Sequence, residues 1–222
     1  MTMPHVCICT MSFDPRNRPR AVKEAVCQSY PPACKTLFML YQKKNGKFPT
    51  HYENKDVNLN IKEINVEGIT GKNWWMLKMM AFVREAKKSY PSIDPICAIM
   101  DEDDGFEGVY LQHAIDSMMY HKKKAAWNYT NIEVTKQGFH IVRHKEPIGT
   151  TIAYLSVFED VTIRAAQLYP TLTNGPRDPL DAKWRAVMQN HYQPCNHKGM
   201  RYFNVWSGSS TKRPKHKEID SE

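Results

Sequence analysis

An apolar run of five residues, Ile96 to Met100, leads directly into four consecutive acidic residues, Asp101 to Asp104. A continuous apolar run is typical of a strand that is buried on both faces, as in parallel sheets covered by helices. Ligands bind to open α/β sheets beyond the carboxyl ends of such strands. The segment therefore predicts a covered, mainly parallel sheet with carboxylates at its ligand-binding edge.

The first 122 residues alternate between strand-like and helix-like patterns. Strands are predicted over His5 to Thr10, Lys35 to Tyr41, Leu59 to Val66 and Ile96 to Met100, and helices over Arg20 to Tyr30, Lys72 to Ser89 and Glu107 to Lys122. This β-α-β-β-α-β-α order predicts a three-layer α/β domain. In the second of these helices, Met76, Met79, Met80 and Val83 share the predicted buried face, and Lys78 is expected to face elsewhere.

The second half of the chain has shorter and more mixed patterns. Two strand-like pieces, Ile132 to Thr135 and Phe139 to Val142, predict a hairpin around Gly138. A strand over Thr151 to Phe158, helices over Val161 to Leu168 and Asp181 to Gln189, and a strand over Tyr202 to Trp206 follow. We predict one domain over residues 1–206 and a flexible basic tail over residues 207–222.

The composition restricts the partners and the compartment of the protein. A formal net charge of +8 favours anionic partners such as nucleotide phosphates or nucleic acid. The six cysteines have no paired CxxC spacing, which argues against a zinc site and for reduced thiols. The sequence has neither a secretory signal pattern nor an apolar run that could span a bilayer. We therefore expect a soluble, cytoplasmic protein.

The four acids carry the most specific chemistry in the chain. Adjacent carboxylates repel one another, so that an ordered arrangement needs compensating positive charge. A hard divalent cation supplies that charge through oxygen ligands, and it can also neutralise a diphosphate leaving group. The alternative is a solvated acidic turn at the end of a strand. The position after a buried strand favours the cation site.

The segment Ile96 to Phe106 resembles the strand followed by D-x-D-D of family 2 glycosyltransferases with the glycosyltransferase A fold. The opening βαβ pattern from Val6 to Tyr41 and the helix that begins at Gly71-Lys72-Asn73 are similar to that family too. The resemblance covers residues 5–122 and extends less closely to about residue 206. It implies a single three-layer α/β/α nucleotide-diphospho-sugar transferase domain with a mainly parallel, mixed sheet. An enzyme of viral or phage type is one possibility within this resemblance.

The same resemblance implies a set of donor-binding residues. The donor would be a nucleotide-sugar, with a UDP-sugar as the leading candidate, and the cofactor Mn²⁺ or Mg²⁺. The family normally has an acid after the second strand, but here Tyr41 is followed by Gln42, so recognition of the base must differ. The implied donor-binding residues are Thr10, Arg16, Tyr41, Lys72, Asp101 and Asp103, and the implied cation ligands are Asp101, Asp103 and His197.

Inverting members of the family also need a general base that deprotonates the acceptor hydroxyl. Asp178 and Asp181 lie at the usual distance along the chain from the metal acids, whereas Asp160 belongs to an earlier Glu-Asp pair. We favour Asp178 or Asp181 over Asp160. Any of the three could instead be a helix N-cap.

Several functions fit these observations. The leading hypothesis is metal-dependent transfer of a hexosyl or pentosyl group from a nucleotide-sugar to a hydroxyl of a glycan or glycoconjugate. A second hypothesis has the same chemistry with modified bases in DNA as the acceptor. If the enzyme is viral, it would act in the cytoplasm of the host. A third is a metal-dependent nuclease or nucleotidyltransferase that uses the same acids. A non-catalytic nucleic-acid-binding module fits the strand-terminal acids least well.

Overall fold

The computed structural model describes residues 3–11, 18–41, 59–66, 74–101, 104–128, 130–135, 138–143, 151–168 and 180–204. These residues form a seven-stranded sheet with helices on both faces and a separate four-stranded sheet. The three-layer α/β architecture predicted from the sequence is confirmed.

The strands and helices have the following bounds. The strands are β1 (Val6–Met11), β2 (Lys35–Tyr41), β3 (Asn60–Asn65), β4 (Ile96–Ile99), β5 (Asp104–Phe106), β6 (Ala125–Trp127), β7 (Thr130–Thr135), β8 (Gly138–Arg143), β9 (Ile152–Tyr154), β10 (Cys195–Asn196) and β11 (Arg201–Asn204). The helices are α1 (Arg18–Cys27), α2 (Trp74–Ser89), α3 (Tyr110–Tyr120), α4 (Leu155–Leu168) and α5 (Leu180–Tyr192). A short 3₁₀ helix, Pro32–Cys34, leads into β2.

The large sheet has the strand order β10-β6-β9-β4-β1-β2-β3. Strand β1 pairs in parallel with β2 and β4, and β2 pairs in parallel with β3. Strand β9 is antiparallel to both β4 and β6, which makes the sheet mixed. The small sheet has the order β5-β11-β7-β8, with the predicted hairpin formed by β7 and β8. Strand β4 therefore lies inside the large sheet, between β1 and β9.

Alternate residues of the central strands face two separate cores. Cys7 and Cys9 of β1 lie in the core that α2, α4 and α5 cover. Val6 and Ile8 lie in the other core, which α1 and α3 cover. All four side chains are fully buried. A strand with both faces buried gains apolar burial from every residue, which is why its sequence lacks the alternation of a half-exposed strand.

Helix α2 differs from its predicted buried face in two residues. Met80 is 39% exposed, although it was expected in the core, and Lys78 is 2% exposed, although it was expected to face elsewhere. Lys78 lies four residues before Phe82, so both side chains fall on the side that faces the sheet. The apolar stem of a lysine can occupy such a position, and periodicity alone does not distinguish it from an exposed lysine.

The remaining differences from the sequence predictions concern short elements. The predicted strand over Thr151 to Phe158 is too long, because β9 ends at Tyr154 and α4 begins at Leu155. Strands β5, β6 and β10, of two or three residues each, were not predicted. Such strands exist because long-range partners pair with them, and three residues do not define a local periodicity.

The segment between β10 and β11 packs closely on the start of α3. The backbone N–H of His197 donates to the Trp127 carbonyl at 3.1 Å, and the Asn128 amide donates to the Gly199 carbonyl. The rings of His197 and Tyr110 meet edge to face with centroids 5.0 Å apart. A Cβ atom at Gly199 would lie 3.0 Å from the Cα atom of Tyr110, so a larger residue would have to push the two segments apart by a few tenths of an ångström.

We therefore expect Gly199→Ala to destabilise the fold by about 1–3 kcal/mol, the usual cost of overpacking an interior. Chemical denaturation of the variant and of the wild type measures the difference. Gly108→Ala is the matched control, because a Cβ atom there would approach only the Cys27 carbonyl, at 3.3 Å. Equal stability losses in the two variants would contradict the packing explanation.

Candidate functional site

The carboxyl ends of β1 and β4 form one edge of the large sheet. The backbone N–H of Met100 donates to the Cys9 carbonyl at 3.0 Å, and the Thr10 hydroxyl donates to the Met100 carbonyl at 2.8 Å. These two hydrogen bonds extend the pairing of β1 and β4 to the point where Asp101 begins. Thr10 and Asp101, two of the predicted site residues, are therefore brought to the same edge. Thr10 is buried, and its hydroxyl joins the two strands.

Arg201 contacts two of the four acids of the cluster. Its Nε donates to Asp104 Oδ2 at 2.6 Å, and its Nη2 contacts the same oxygen atom. Nη2 also lies 3.2 Å from Asp101 Oδ2. One guanidinium thus bridges the first and the last of the four acids, Asp101 and Asp104. Charge-assisted hydrogen bonds of this kind are short and directional.

The small sheet explains how a residue about 100 positions later reaches the acids. The backbone N–H of Asp104 donates to the Asp101 carbonyl at 3.3 Å, so the chain turns sharply after β4 and enters β5. Strand β5 pairs antiparallel with β11, with Asp104 opposite Phe203 and Phe106 opposite Arg201. Asp104 and Arg201 are diagonal neighbours on one face of this pair, within reach of a long side chain.

Burial strengthens the interaction of these charges. The side chain of Asp104 is 5% exposed, that of Arg201 is 14% exposed and that of Asp101 is 30% exposed. Burial alone would lower the pKa of the Arg201 guanidinium, but the carboxylates of Asp104 and Asp101 reverse this effect and raise its pKa. Arg201 is therefore a fixed positive charge at the sheet edge, and Asp101 is the more accessible of the two carboxylates.

Tyr110, the first residue of α3, lies beside this charge cluster and is fully buried. Burial raises the pKa of its phenol; Arg201 lowers it, and Asp104 and Asp101 raise it further. The phenol is therefore neutral at physiological pH. Within the described part of the chain, its hydroxyl has no hydrogen-bond partner.

Lys78 of α2 is a second buried basic side chain in this part of the molecule. Burial raises the pKa of the Cys9 thiol, the charge of Asp101 raises it further, and the charge of Lys78 lowers it. Cys9 is thus within electrostatic range of both Lys78 and Asp101.

Several predicted site residues lie outside the described residues. Neither backbone nor side chain is described for Arg16, Lys72, Asp103 and Asp178. The structure describes only the backbone of Tyr41, at the end of β2, and of Asp181, in the first turn of α5. Their roles remain predictions. The predicted tail likewise begins beyond the last described residue, 204.

His197 is buried, with 1% exposure. The backbone N–H of Gly199 donates to its Nδ1 at 3.2 Å. Among the residues that the structure describes, no three His, Cys, Asp or Glu side chains are arranged to hold a metal ion. The cation-ligand roles of Asp101, Asp103 and His197 remain predictions.

Asp160 lies on α4 and interacts with two side chains. Its Oδ2 accepts a hydrogen bond from Arg164 Nε at 2.7 Å and one from the Tyr192 hydroxyl at 2.8 Å. The hydrogen bond from Arg164 lowers the pKa of Asp160, burial opposes this shift, and the hydrogen bond from Tyr192 adds to it. The neighbouring Glu159 forms an ion pair with Lys87, in the last turn of α2.

Sequence reasoning did not identify Arg201 as part of the site. A single arginine in a polar stretch has no local pattern, and its partners are 97 and 100 residues away. The only signal was indirect, because four consecutive acids require compensating charge. The need for compensating positive charge suggested a metal ion, and the guanidinium of Arg201 supplies part of that charge.

This arrangement of strands is similar to that of solved glycosyltransferase structures. TarS of S. aureus matches with a TM-score of 0.53 and 12% sequence identity, over 90% of this chain and 37% of TarS. The chain has the glycosyltransferase A fold. TarS 1–349 in complex with UDP matches with a TM-score of 0.53 and 12% identity, over 91% of this chain and 61% of that one. TarS 1–349 in complex with UDP-GlcNAc matches with a TM-score of 0.52 and 11% identity, over 93% of this chain and 60% of that one.

The chain spans less than two thirds of these TarS structures. No family model and no curated protein matches its sequence. Within the described residues, no helix is long and apolar enough to cross a bilayer. All six cysteines are free thiols in the structure.

The contacts of Asp160 predict a pH-dependent contribution to stability. Asp160→Asn should lower the free energy of unfolding by about 1 kcal/mol near pH 7, allowing for partial solvent screening of the pair. Because the folded-state pKa lies below the unfolded value of about 3.9, this contribution is present above that pH and is lost as the pH falls through the folded-state pKa.

Urea unfolding of the wild type and Asp160→Asn at a series of pH values measures this difference. Tyr192→Phe is the control, since it removes one hydrogen bond and retains the ion pair with Arg164. A stability difference that stays constant down to about pH 3 would contradict the assignment.

Proposed function

We propose that the protein is a metal-dependent glycosyltransferase that transfers a sugar from a nucleotide-sugar to a hydroxyl acceptor. The observation that carries the proposal is the position of Asp101. It follows β4 at the carboxyl edge of the sheet, in a glycosyltransferase A fold that matches UDP-bound and UDP-GlcNAc-bound TarS structures over more than nine tenths of this chain. That edge is where open α/β sheets bind their ligands.

The residues at the edge are chemically suited to a divalent cation and a diphosphate. Asp101 presents a partly exposed carboxylate, the type of oxygen donor that Mn²⁺ and Mg²⁺ accept. We propose that Asp101 and Asp103 hold the cation, with His197 as a further ligand. When bound, the cation would neutralise negative charge on the diphosphate leaving group. Thr10, Arg16, Tyr41 and Lys72 are proposed to border the donor, with UDP as its nucleotide.

The topology supports Asp178 or Asp181 rather than Asp160 as the general base. The backbone N–H of Leu155 donates to the Pro95 carbonyl, so α4 begins at the amino end of β4. Asp160 lies five residues into this helix and contacts Tyr192, the last residue of α5. The start of α5 lies instead near the start of α2, where the rings of Trp184 and Trp75 meet with centroids 5.8 Å apart.

The proposed acceptor is a hydroxyl of a glycan or glycoconjugate. A base near the acceptor would remove the hydroxyl proton as the oxygen attacks the anomeric carbon and the nucleoside diphosphate leaves. The net charge of +8 also suits a polyanionic acceptor, so DNA that contains hydroxymethylated bases belongs in the acceptor screen as a contrasting arm.

Mn²⁺ together with UDP should raise the melting temperature by about 5–10 °C at concentrations far above the dissociation constant. A screen of UDP-, GDP- and CDP-sugars with Mn²⁺ should then identify the donor by release of the nucleoside diphosphate. Asp103→Ala should abolish both responses, whereas Asp116→Ala, at an exposed position of α3, should preserve them. A folded wild-type sample that responds to none of the nucleotides would overturn the proposal.

Replacement of the general base should lower kcat without weakening donor binding. Removal of the base by Asp→Asn should reduce kcat by at least about 100-fold, while the UDP-dependent thermal shift persists. We expect this result for either Asp178→Asn or Asp181→Asn. Asp160→Asn should retain kcat within about threefold, because its expected effect is on stability. If Asp160→Asn loses kcat and the other two variants do not, Asp160 on α4 is the general base instead.

A further inference from the structure

Arg201 places a permanent positive charge against the carboxylate that the proposed function assigns to a divalent cation. Its Nη2 lies 3.2 Å from Asp101 Oδ2, and its side chain is 14% exposed. A guanidinium does not deprotonate in proteins, so this charge is present at every physiological pH. The charge is built into the fold, because the pairing of β11 with β5 brings Arg201 to this point.

We infer that Arg201 lowers the affinity of Asp101 for a free divalent cation, so that the cation binds tightly only together with a nucleoside diphosphate. The inference rests on the proposed function and goes beyond it, because it gives Arg201 the role of coupling the binding of cation and nucleotide. Arg201 is a positioning residue in this account. It acts through Asp101 and needs no contact with the donor.

The physical reason is the repulsion between like charges in a poorly solvated place. A cation on the Asp101 carboxylate would lie a few ångströms from the guanidinium, where partial burial leaves the repulsion only weakly screened. The guanidinium also competes directly for Asp101 Oδ2. A diphosphate adds negative charge on the other side of the cation, which offsets the repulsion. Each ligand should therefore increase the affinity of the other by the same factor.

Asp104 has a separate part in this arrangement. It contacts the guanidinium through both Nε and Nη2, and its side chain is 5% exposed. Asp104 therefore anchors Arg201, whereas Nη2 reaches Asp101 Oδ2 at the longer distance of 3.2 Å. A cation can displace this longer contact while Arg201 stays anchored on Asp104. This division assigns cation binding to Asp101 and anchoring of the arginine to Asp104.

The test is a titration of the protein with Mn²⁺ alone and with Mn²⁺ plus UDP, in which electron paramagnetic resonance reports free Mn²⁺. Arg201→Gln alone would remove the guanidinium from the buried Asp104 carboxylate, a change that can unfold a protein. The main variant is therefore the double replacement Arg201→Gln with Asp104→Asn, which keeps the net charge. Asp104→Asn alone is the matched control. Thermal unfolding without ligands establishes that each variant is folded.

We expect the double variant to bind Mn²⁺ alone at least about tenfold more tightly than the wild type, because the adjacent cation is removed. The factor by which UDP enhances Mn²⁺ binding should fall correspondingly. Asp104→Asn alone should bind Mn²⁺ more weakly than the wild type. Without the Asp104 carboxylate, Arg201 should pair more strongly with Asp101 and compete more effectively with the cation. A merely structural role for Arg201 would weaken Mn²⁺ binding in both variants.

A folded double variant that binds Mn²⁺ alone no more tightly than the wild type would overturn the inference. Should it not fold, Arg201→Met with Asp104→Leu decides, because this pair also removes both charges and apolar residues of similar volume often replace a buried ion pair without loss of stability. Tighter Mn²⁺ binding by this variant supports the inference, and equal or weaker binding overturns it. A wild-type protein that binds neither Mn²⁺ nor UDP would instead remove the proposed function itself.

Discussion

The ion pairs of Arg201 with Asp101 and Asp104 allow a dense group of carboxylates to follow directly after a buried strand. Strand β4 gains its stability from burial between β1 and β9, but it ends in residues that repel one another. The guanidinium offsets this repulsion at the point where the chain turns into β5. The small sheet is thus a structural requirement of the site, since the pairing of β5 with β11 brings the arginine there.

The antiparallel strand β9 has a comparable consequence for the helices. Because β9 runs against β4, α4 begins at the amino edge of the sheet, and Asp160 in its second turn contacts Tyr192 at the end of α5. Asp181 lies in the first turn of α5, eleven residues before that contact. Asp160 serves the packing of α4 against α5, through Arg164 and Tyr192.

Local patterns predicted the large sheet well because its central strands are buried on both faces. Strand β2 has the predicted bounds, Lys35–Tyr41; β1 is shifted by one residue at both ends, and β4 ends one residue earlier than predicted. The failures share one cause, which is dependence on distant partners. Strands β5 and β10 exist through pairing with β11 and β6, and Lys78 is buried because α2 packs against the sheet. Neither kind of partner is visible in a window of neighbouring residues.

The sequence by itself determined the three-layer fold and the position of the acids at the edge of the sheet. An apolar run and the charges that follow it are local properties, and a buried parallel strand has only one edge where ligands bind. The tertiary structure alone decided which charges meet those acids. Arg201 reaches Asp101 and Asp104 from about 100 residues away, because a three-residue strand pairs with β11. Ion pairs depend on distance in space, which local sequence does not encode.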